Sequence, residues 1–417
     1  MKTMTLMFAA VCAVVVLGCS NAGPGVTKCS AQSCANGCCS AAGECVTAAS
    51  QSACGLNGLS CATCAGGQTC GDGVCRAPDV VVDAGPVDAG SGDGDGGIDC
   101  ATLALDPMLG DLVLRNGATL VQGAVLPTGI TTVGVNGATL YGVGSDHQLY
   151  QLGSLPNLVK SAPLANVRSP ADEAANASVF LGGSLAVSGT QLLAGYTKSG
   201  AGFPGNVVVY DTADAGVQYV SAPANYTAVG FQGSFLINGG QVGGATGAGV
   251  YALDAQGAFG FSTFDAAWMA SNGFTGVTSN GVLLLGYFDG TDFQNHVRAV
   301  PASQYASAFA ARTSFPLAGA VDVASGDDLQ DLTTFGEDAI LVRGGYDSNF
   351  ESFTTQVTRV TMSVAGSGVQ TVSAGRPVPF VEATHRCTRV VFAVGGGTQL
   401  LLGVSDRNGR RVLRVLP

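Results

Sequence analysis

Val277-Thr-Ser-Asn-Gly281-Val-Leu-Leu284-Leu-Gly286 carries the pattern on which the reading of this chain turns. A short polar turn centred on Gly281 is followed by an unbroken apolar run that glycine closes. A run of four to eight apolar residues between turn signals is the mark of a strand buried on both faces. The same pattern recurs five times. It is found in Val133-Gly-Val-Asn-Gly137-Ala-Thr-Leu140-Tyr-Gly142, in Val187-Ser-Gly189-Thr-Gln-Leu192-Leu-Ala-Gly195 and in Val229-Gly-Phe-Gln-Gly233-Ser-Phe-Leu236-Ile-Asn-Gly239. Phe335-Gly-Glu-Asp-Ala-Ile340-Leu-Val-Arg-Gly344 and Val394-Gly-Gly-Gly397-Thr-Gln-Leu400-Leu-Leu-Gly403 complete the set. Most copies are followed by a polar loop and a further strand with alternating apolar residues: Val207–Asp211, Val250–Asp254, Val297–Val300, Val357–Val360 and Val412–Val415.

The central turns are separated by 52, 44, 48, 56 and 60 residues. An all-strand repeat of about fifty residues is the signature of a β-propeller. Residues 100–417 are therefore expected to form an all-β, six-bladed propeller at about 53 residues per blade. The competing arrangement is a β-sandwich array or an irregular β domain. The last unit ends at Pro417 with no room for a fourth strand. The segment Leu120–Leu126 is expected to supply it, joining the two ends of the domain and removing exposed sheet edges. Cys100 and Cys387 are the cysteines left to staple that closure.

Glycine at 62 of 417 residues is about twice its usual ~7% share, and charged residues at 11% are less than half the usual ~25%. Such a composition argues for a large packed core with many tight turns and against helices. The formal net charge of −11, with no Lys/Arg cluster, argues against nucleic acid as a partner, because phosphate contacts dominate that affinity.

Lys2 precedes an apolar run, Leu6–Leu17, that suits a secretory signal and is too short to span a bilayer. The run ends in Val16-Leu17-Gly18-Cys19, which resembles a bacterial lipobox. That resemblance implies a signal peptide over 1–18, lipidation of Cys19, a tether over 19–28 and a membrane as partner through the N-terminal lipid. Ser20 after the cysteine resembles outer-membrane sorting, so the expected location is the bacterial outer membrane or cell surface. Cleavage after Ser20-Asn21-Ala22, releasing a soluble chain, is the alternative.

Ten cysteines follow within 29–75: Cys29, Cys34, Cys38, Cys39, Cys45, Cys54, Cys61, Cys64, Cys70 and Cys75. Large apolar side chains are nearly absent there, so cross-links must replace a core. Cys38 and Cys39 need different partners, because neighbouring Cα atoms are ~3.8 Å apart and a disulfide wants more. Cys61-Ala-Thr-Cys64 has the spacing of a zinc or redox motif, but among eight other cysteines in an exported chain structural disulfides are expected. The stretch Cys34–Cys45 resembles the core of hevein-like chitin-binding modules. The chain has no Phe, Tyr or Trp between Cys19 and Asp99 on which a sugar could stack, so the likeness extends to the disulfide knot alone.

Residues 76–99 read as an acidic Gly/Asp/Pro linker. Asp93, Asp95 and Gly97 open like a calcium loop, but Ile98 and Ala104 stand where an EF-hand needs Gly and Glu. The whole design resembles cysteine-rich surface lipoproteins of Gram-negative bacteria.

No P-loop, GxSxG, HExxH or Rossmann fingerprint occurs, and there are three histidines. His147 and His296 are expected in or beside hairpins as solvated turn residues. By fold analogy, a site would lie on loops leading into each innermost strand. Those loops hold Arg168, Asp172 and Glu173; Asp327, Asp328 and Asp331; Glu382, His385 and Arg386; and Trp268. Asp172, Asp331, Glu382 and His385 are the candidate ligand-binding residues. No cofactor is required, and calcium is the cation that such carboxylates would suit. The expected function is a lipid-anchored, surface-exposed binding or structural protein with a protein or carbohydrate ligand. The alternative is a secreted propeller-type hydrolase or lyase with a channel-bound metal ion.

Overall fold

The computed structural model describes residues 99–417 except 176, 178, 199–204, 223–224, 240–248, 264–267, 318, 347–351 and 397–398. Before residue 99 it describes 29–30, 33–34, 37–47, 50, 52–54, 60–64, 69–71 and 74–76. The signal segment, Cys19, the tether and nearly all of the linker lie outside the described residues. The chain divides into two compact units, residues 1–94 and 95–417.

The first unit is held by sulfur. Two short hairpins, β1 (Cys38–Cys39) with β2 (Cys45–Val46) and β3 (Thr69–Gly71) with β4 (Val74–Arg76), are its regular structure among the described residues. Disulfides join Cys29 to Cys39, Cys34 to Cys45 and Cys38 to Cys61, and Cys54 and Cys64 are also disulfide-bonded. Cys34, Cys38 and Cys54 are almost completely buried, so half-cystines occupy the place of a hydrophobic core. Adjacent Cys38 and Cys39 go to different partners. Cys61 is spent on Cys38, so Cys61 and Cys64 do not form a CxxC redox pair.

The second unit is a six-bladed β-propeller. It starts with β5 (Leu112–Leu114) and β6 (Thr119–Val125). Blade 1 is β7 (Ile130–Asn136), β8 (Thr139–Gly144) and β9 (Gln148–Ser154), with β10 (Asn157–Leu158) and β11 (Pro163–Asn166) both pairing on β9. After a short helix, α1 (Pro170–Ala174), blade 2 is β12 (Val179–Ser188), β13 (Gln191–Lys198), β14 (Gly205–Asp211) and β15 (Val217–Ala222). Blade 3 is β16 (Asn225–Phe231), β17 (Ser234–Gly239), β18 (Gly249–Asp254) and β19 (Gly257–Thr263). Blade 4 is β20 (Trp268–Val277), β21 (Leu283–Asp289), β22 (Gln294–Val300) and, beyond helix α2 (Ala302–Ala310), β23 (Val321–Gly326). Blade 5 is β24 (Leu329–Phe335), β25 (Asp338–Tyr346) and β26 (Ser352–Ala365), on which β27 (Thr371–Ala374) and β28 (Val378–Ala383) both pair. Blade 6 is β29 (Arg389–Gly396), β30 (Gln399–Asp406) and β31 (Gly409–Leu416).

Each repeated turn is the hairpin between the first two strands of a blade, and each alternating segment falls in a third strand. The unbroken apolar runs follow from two-sided burial. In blade 4, Leu283 and Leu285 pack into the cluster shared with blade 3, while Val282 and Leu284 pack into the one shared with blade 5. In blade 6, Leu400 and Leu402 face blade 5 and Leu401 faces blade 1. Six such clusters fill the six spaces between neighbouring sheets. Fully burying each of these side chains is worth ~1.5–3 kcal/mol. The first strands β7, β12, β16, β20, β24 and β29 are neighbours around a closed circle. Their glycines allow the approach: a Cβ on Gly230 would overlap the backbone of Val187, and one on Gly395 the backbone of Thr334.

Closure uses more of the N-terminal segment than the repeat alone implies. β6 pairs antiparallel with β31 as the fourth strand of blade 6, and β5 pairs with β28 in blade 5. Cys100 is bonded to Cys387. Asp111 fastens the loop around that bond: its Oδ2 accepts the N–H groups of His385 and Cys387, both at 3.1 Å, and its own N–H donates to Thr388 Oγ1. Arg411, fully buried, donates to Met108 O and forks onto Asp406 at 2.8 and 2.6 Å.

The described residues are helix-poor, as the composition implies, and α2 is the longer of their two helices. Tyr305 and Phe309 stand four residues apart, and with Phe231, Phe259, Phe261 and Phe315 they form an aromatic cluster that seats the helix on blade 3. The signal was Ala-rich sequence with that spacing after Pro301.

Two outcomes are expected. Replacing Cys100 and Cys387 with Ser releases a closure spanning 287 residues, for which loop entropy gives up to ~6 kcal/mol; denaturant unfolding of the double variant will read a loss of several kcal/mol. Gly230→Ala will cost about 1–3 kcal/mol in the same assay, because the new methyl meets backbone rather than a yielding side chain.

Candidate functional site

The six first strands enclose a central channel of about 660 Å³. Because each sheet ends there, first strands bring backbone edge as well as apolar side chains such as Val135, Leu185, Val229 and Phe392 to the channel. Side-chain oxygens compensate part of that edge. Thr333 Oγ1 accepts the N–H of Gly395 at 2.8 Å, and Asp331 Oδ2 accepts that of Ala393 at 2.8 Å. The other Asp331 oxygen accepts the N–H of Leu332. Among the described lining residues Asp331 is the single ionisable one; the remaining polar groups are Thr227, Thr275, Ser279, Thr333, Thr334 and Gln399. Asp331 is half-buried and lines the channel, yet protein surrounds its carboxyl, and burial pushes it up to about 6 against the pull of two backbone N–H groups. Asp331 is thus a strand residue joining blades 5 and 6, not the loop residue expected. Backbone N–H groups hold both of its oxygens, so its observed role is to tie β24 to β29.

Asp172 lies in α1, in the loop leading into β12, with Ser169 as the helix cap. Its carboxylate accepts from Tyr196 Oη at 2.5 Å, Ser169 Oγ at 2.9 Å, Asn206 Nδ2 at 2.9 Å and Lys198 Nζ at 3.2 Å. The Tyr196 hydroxyl first, then Ser169 and Lys198, bring it down to about 2. Four side-chain donors occupy this carboxylate, so its observed role is to hold the loop.

Glu382 corrects the sequence reading. It belongs to β28, between β26 and β5, and pairs there with Arg115 at 3.1 Å. The Thr-containing turn that truly leads into β29 is 384–388, which holds His385 and Arg386. His385 lines a second cavity of about 610 Å³ with Asp111 and Arg115, and Arg386 lies over the Phe353 ring at 4.7 Å. Asp328 is paired with Arg343, and Trp268 opens β20. The four candidate residues therefore do not converge. Among the described residues, no three-residue group of metal-ligating atoms includes Asp172, Asp331, Glu382 or His385.

His147 is a turn residue with φ 61°, as its place between β8 and β9 implies. His296 is not. It stands in β22, stacked on Tyr287 at 5.4 Å, with Asp292 and Asp289 near it. His296 was legible as a residue in or beside a hairpin but not as part of a side-chain cluster, since register decides which residues share a face.

No family model and no curated protein sequence matches the chain. Solved structures resemble it distantly. A putative oxidoreductase (glucose dehydrogenase) from Thermus thermophilus is 14% identical, with 73% of this chain and all of that chain covered at a TM-score of 0.41. An oligogalacturonate lyase from Vibrio parahaemolyticus is 8% identical, covering 66% of this chain and 74% of that one at 0.39. An exo-β-1,3-galactanase from Phanerochaete chrysosporium is 10% identical, covering 72% and 64% at 0.35.

The Asp331 carboxyl has a stability signature. Its ordinary value is 3.8 and its folded value about 6, so the folded chain holds this proton through that window. The contribution of this group is therefore most favourable below about pH 4 and declines as pH rises through 6. Asp331→Asn removes the decline. Asn offers one acceptor oxygen where Asp331 uses both, so the variant loses one of the two N–H contacts at every pH. Urea unfolding is expected to find the stability of wild type relative to the variant rising by ~1–3 kcal/mol between pH 7.5 and pH 4.

Proposed function

We propose that the protein is a lipid-anchored bacterial surface protein whose propeller binds a ligand rather than transforming one. The observation that carries the binding reading is the channel itself. Hydrolysis of a glycosidic bond ordinarily needs two carboxyl groups in distinct roles, and the described lining has one, committed to two backbone N–H groups across blades 5 and 6. A channel that mixes Ser and Thr hydroxyls with apolar residues such as Val135, Leu185, Val229 and Phe392 suits a protein segment or a carbohydrate, both of which offer apolar surface together with uncharged donors and acceptors. Net charge of −11 disfavours a polyanionic partner.

The anchoring part of the proposal rests on the lipobox-like Val16–Cys19, the cross-linked unit suited to an oxidising compartment, and the acidic linker over 76–99. Several acyl chains on Cys19 would give a permanent anchor, since each buried CH2 contributes ~0.8 kcal/mol. The knot and linker would then hold the propeller off the membrane.

Growth with radioactive palmitate tests the anchor. Wild-type protein is expected to take the label and enter the detergent phase, whereas Cys19→Ala loses both properties. Brief protease treatment of intact cells is expected to release the propeller by cutting within 76–99. Unlabelled wild-type protein would refute the anchor, and a protein left uncut on intact cells would refute surface display.

A further inference from the structure

The turn between the second and third strands of a blade lies on the same face as the loops leading into the first strands, because the four strands are antiparallel. In three blades the described residues place an aspartate at that turn. In blade 1 it is Asp146, paired with Lys160 at 3.3 Å. In blade 6 it is Asp406, paired with Arg411 at 2.6 Å. In blade 4 it is Asp289, and there the cationic partner is replaced by a second carboxylate, Asp292, and an imidazole, His296. One donor atom from each of the three lies within 4.8 Å of the other two. No Lys or Arg pairs with either carboxylate among the described residues.

The imidazole separates this group from an ordinary acidic turn. His296 stands opposite Tyr287 in the β21–β22 register, and its ring lies nearly parallel to the Tyr287 ring, at 14°. Tyr287 is fully buried, so the shelf under the imidazole is rigid. His296 Nε2 is 2.9 Å from Asp292 Oδ2, which places the nitrogen on the carboxylate side of the hairpin. The backbone N–H of Thr291 donates to Asp289 Oδ1 and that of Gln294 to Asp292 Oδ1, orienting both carboxylates. Two oriented carboxylates and one oriented imidazole, with a solvent-exposed turn beyond them, form a three-ligand set with open positions.

We propose that Asp289, Asp292 and His296 bind one divalent transition-metal ion, with zinc as the best fit. Mixed nitrogen and oxygen donors suit zinc, which accepts three protein ligands and keeps a fourth position for water or a ligand group. Calcium wants six to eight oxygens and gains little from an imidazole. The metal would replace the positive charge that Lys160 and Arg411 supply at the equivalent turns.

Calorimetric titration of the full oxidised chain with zinc chloride, in a buffer that does not chelate, tests this. One zinc per chain is expected. His296→Gln and Asp289→Asn should each weaken it at least ten-fold, while His147→Gln, at the corresponding turn of blade 1, should leave it unchanged. Cobalt should add visible absorption bands that His296→Gln abolishes, and excess calcium should not displace zinc. Thermal melts confirm that the variants are folded; if one variant fails to fold, the other decides. Absence of stoichiometric zinc binding in the wild type, or equal affinity in a folded His296→Gln or Asp289→Asn chain, would reduce the group to a surface His–Asp pair and overturn the proposal.

Discussion

A sheet that is apolar on both faces has to be covered on both. In this protein each blade is such a sheet: the paired leucines and valines of the second strands point alternately to the blade before and the blade after. A row of such sheets always leaves two faces wet, and closing the row into a ring leaves none. The six interblade clusters, the glycines that let first strands meet, and the central channel all follow from that single demand.

A ring made from one chain must be fastened where its ends meet, and the fastening dominates the local chemistry. β6 completes blade 6, β5 extends blade 5, and the Cys100–Cys387 bond joins the segment before β5 to the loop before β29. Buried polar groups serve the same end. Asp111 gathers N–H groups of the loop that carries Cys387, and Arg411 binds a carbonyl of the N-terminal segment while paired with Asp406. A buried ion pair is costly to desolvate; here the fork onto Asp406 orients Arg411, whose Nε–H bonds Met108 O, 303 residues away in the chain.

The same economy explains why several prominent charged residues are structural. First strands leave unpaired N–H groups at the channel, and Asp331 with Thr333 supplies acceptors for those of β29. Asp172 is occupied by four donors, and Glu382 by Arg115. Among the described residues, Asp289 and Asp292 cluster with His296 at a turn in blade 4, and no Lys or Arg pairs with either carboxylate. Long polar loops in the sequence thus marked where charge lies, and the hydrogen-bond inventory decided which charge is spent.

The repeat was legible because its cause is local. A strand buried on both faces must be apolar without interruption, and a tight hairpin must carry glycine or a small polar residue at its turn, so Gly137, Gly189, Gly233 and Gly281 announce blades to anyone counting along the chain. The closing strand β6 was legible too, because Leu120–Leu126 is an apolar segment standing before the first repeat. β5 was not, since Leu112–Leu114 is too short to show a period and becomes a strand only when β28 offers an edge. Candidate residues were found by type, but their roles depended on partners distant in sequence: Tyr196 for Asp172, Ala393 for Asp331, Arg115 for Glu382. Sequence alone determined the number of blades and the cross-linked character of the N-terminal unit, because both arise from composition and spacing. Tertiary structure alone decided which carboxylates are satisfied and which stand beside an imidazole, because that depends on strand register and on contacts made only after the ring has closed.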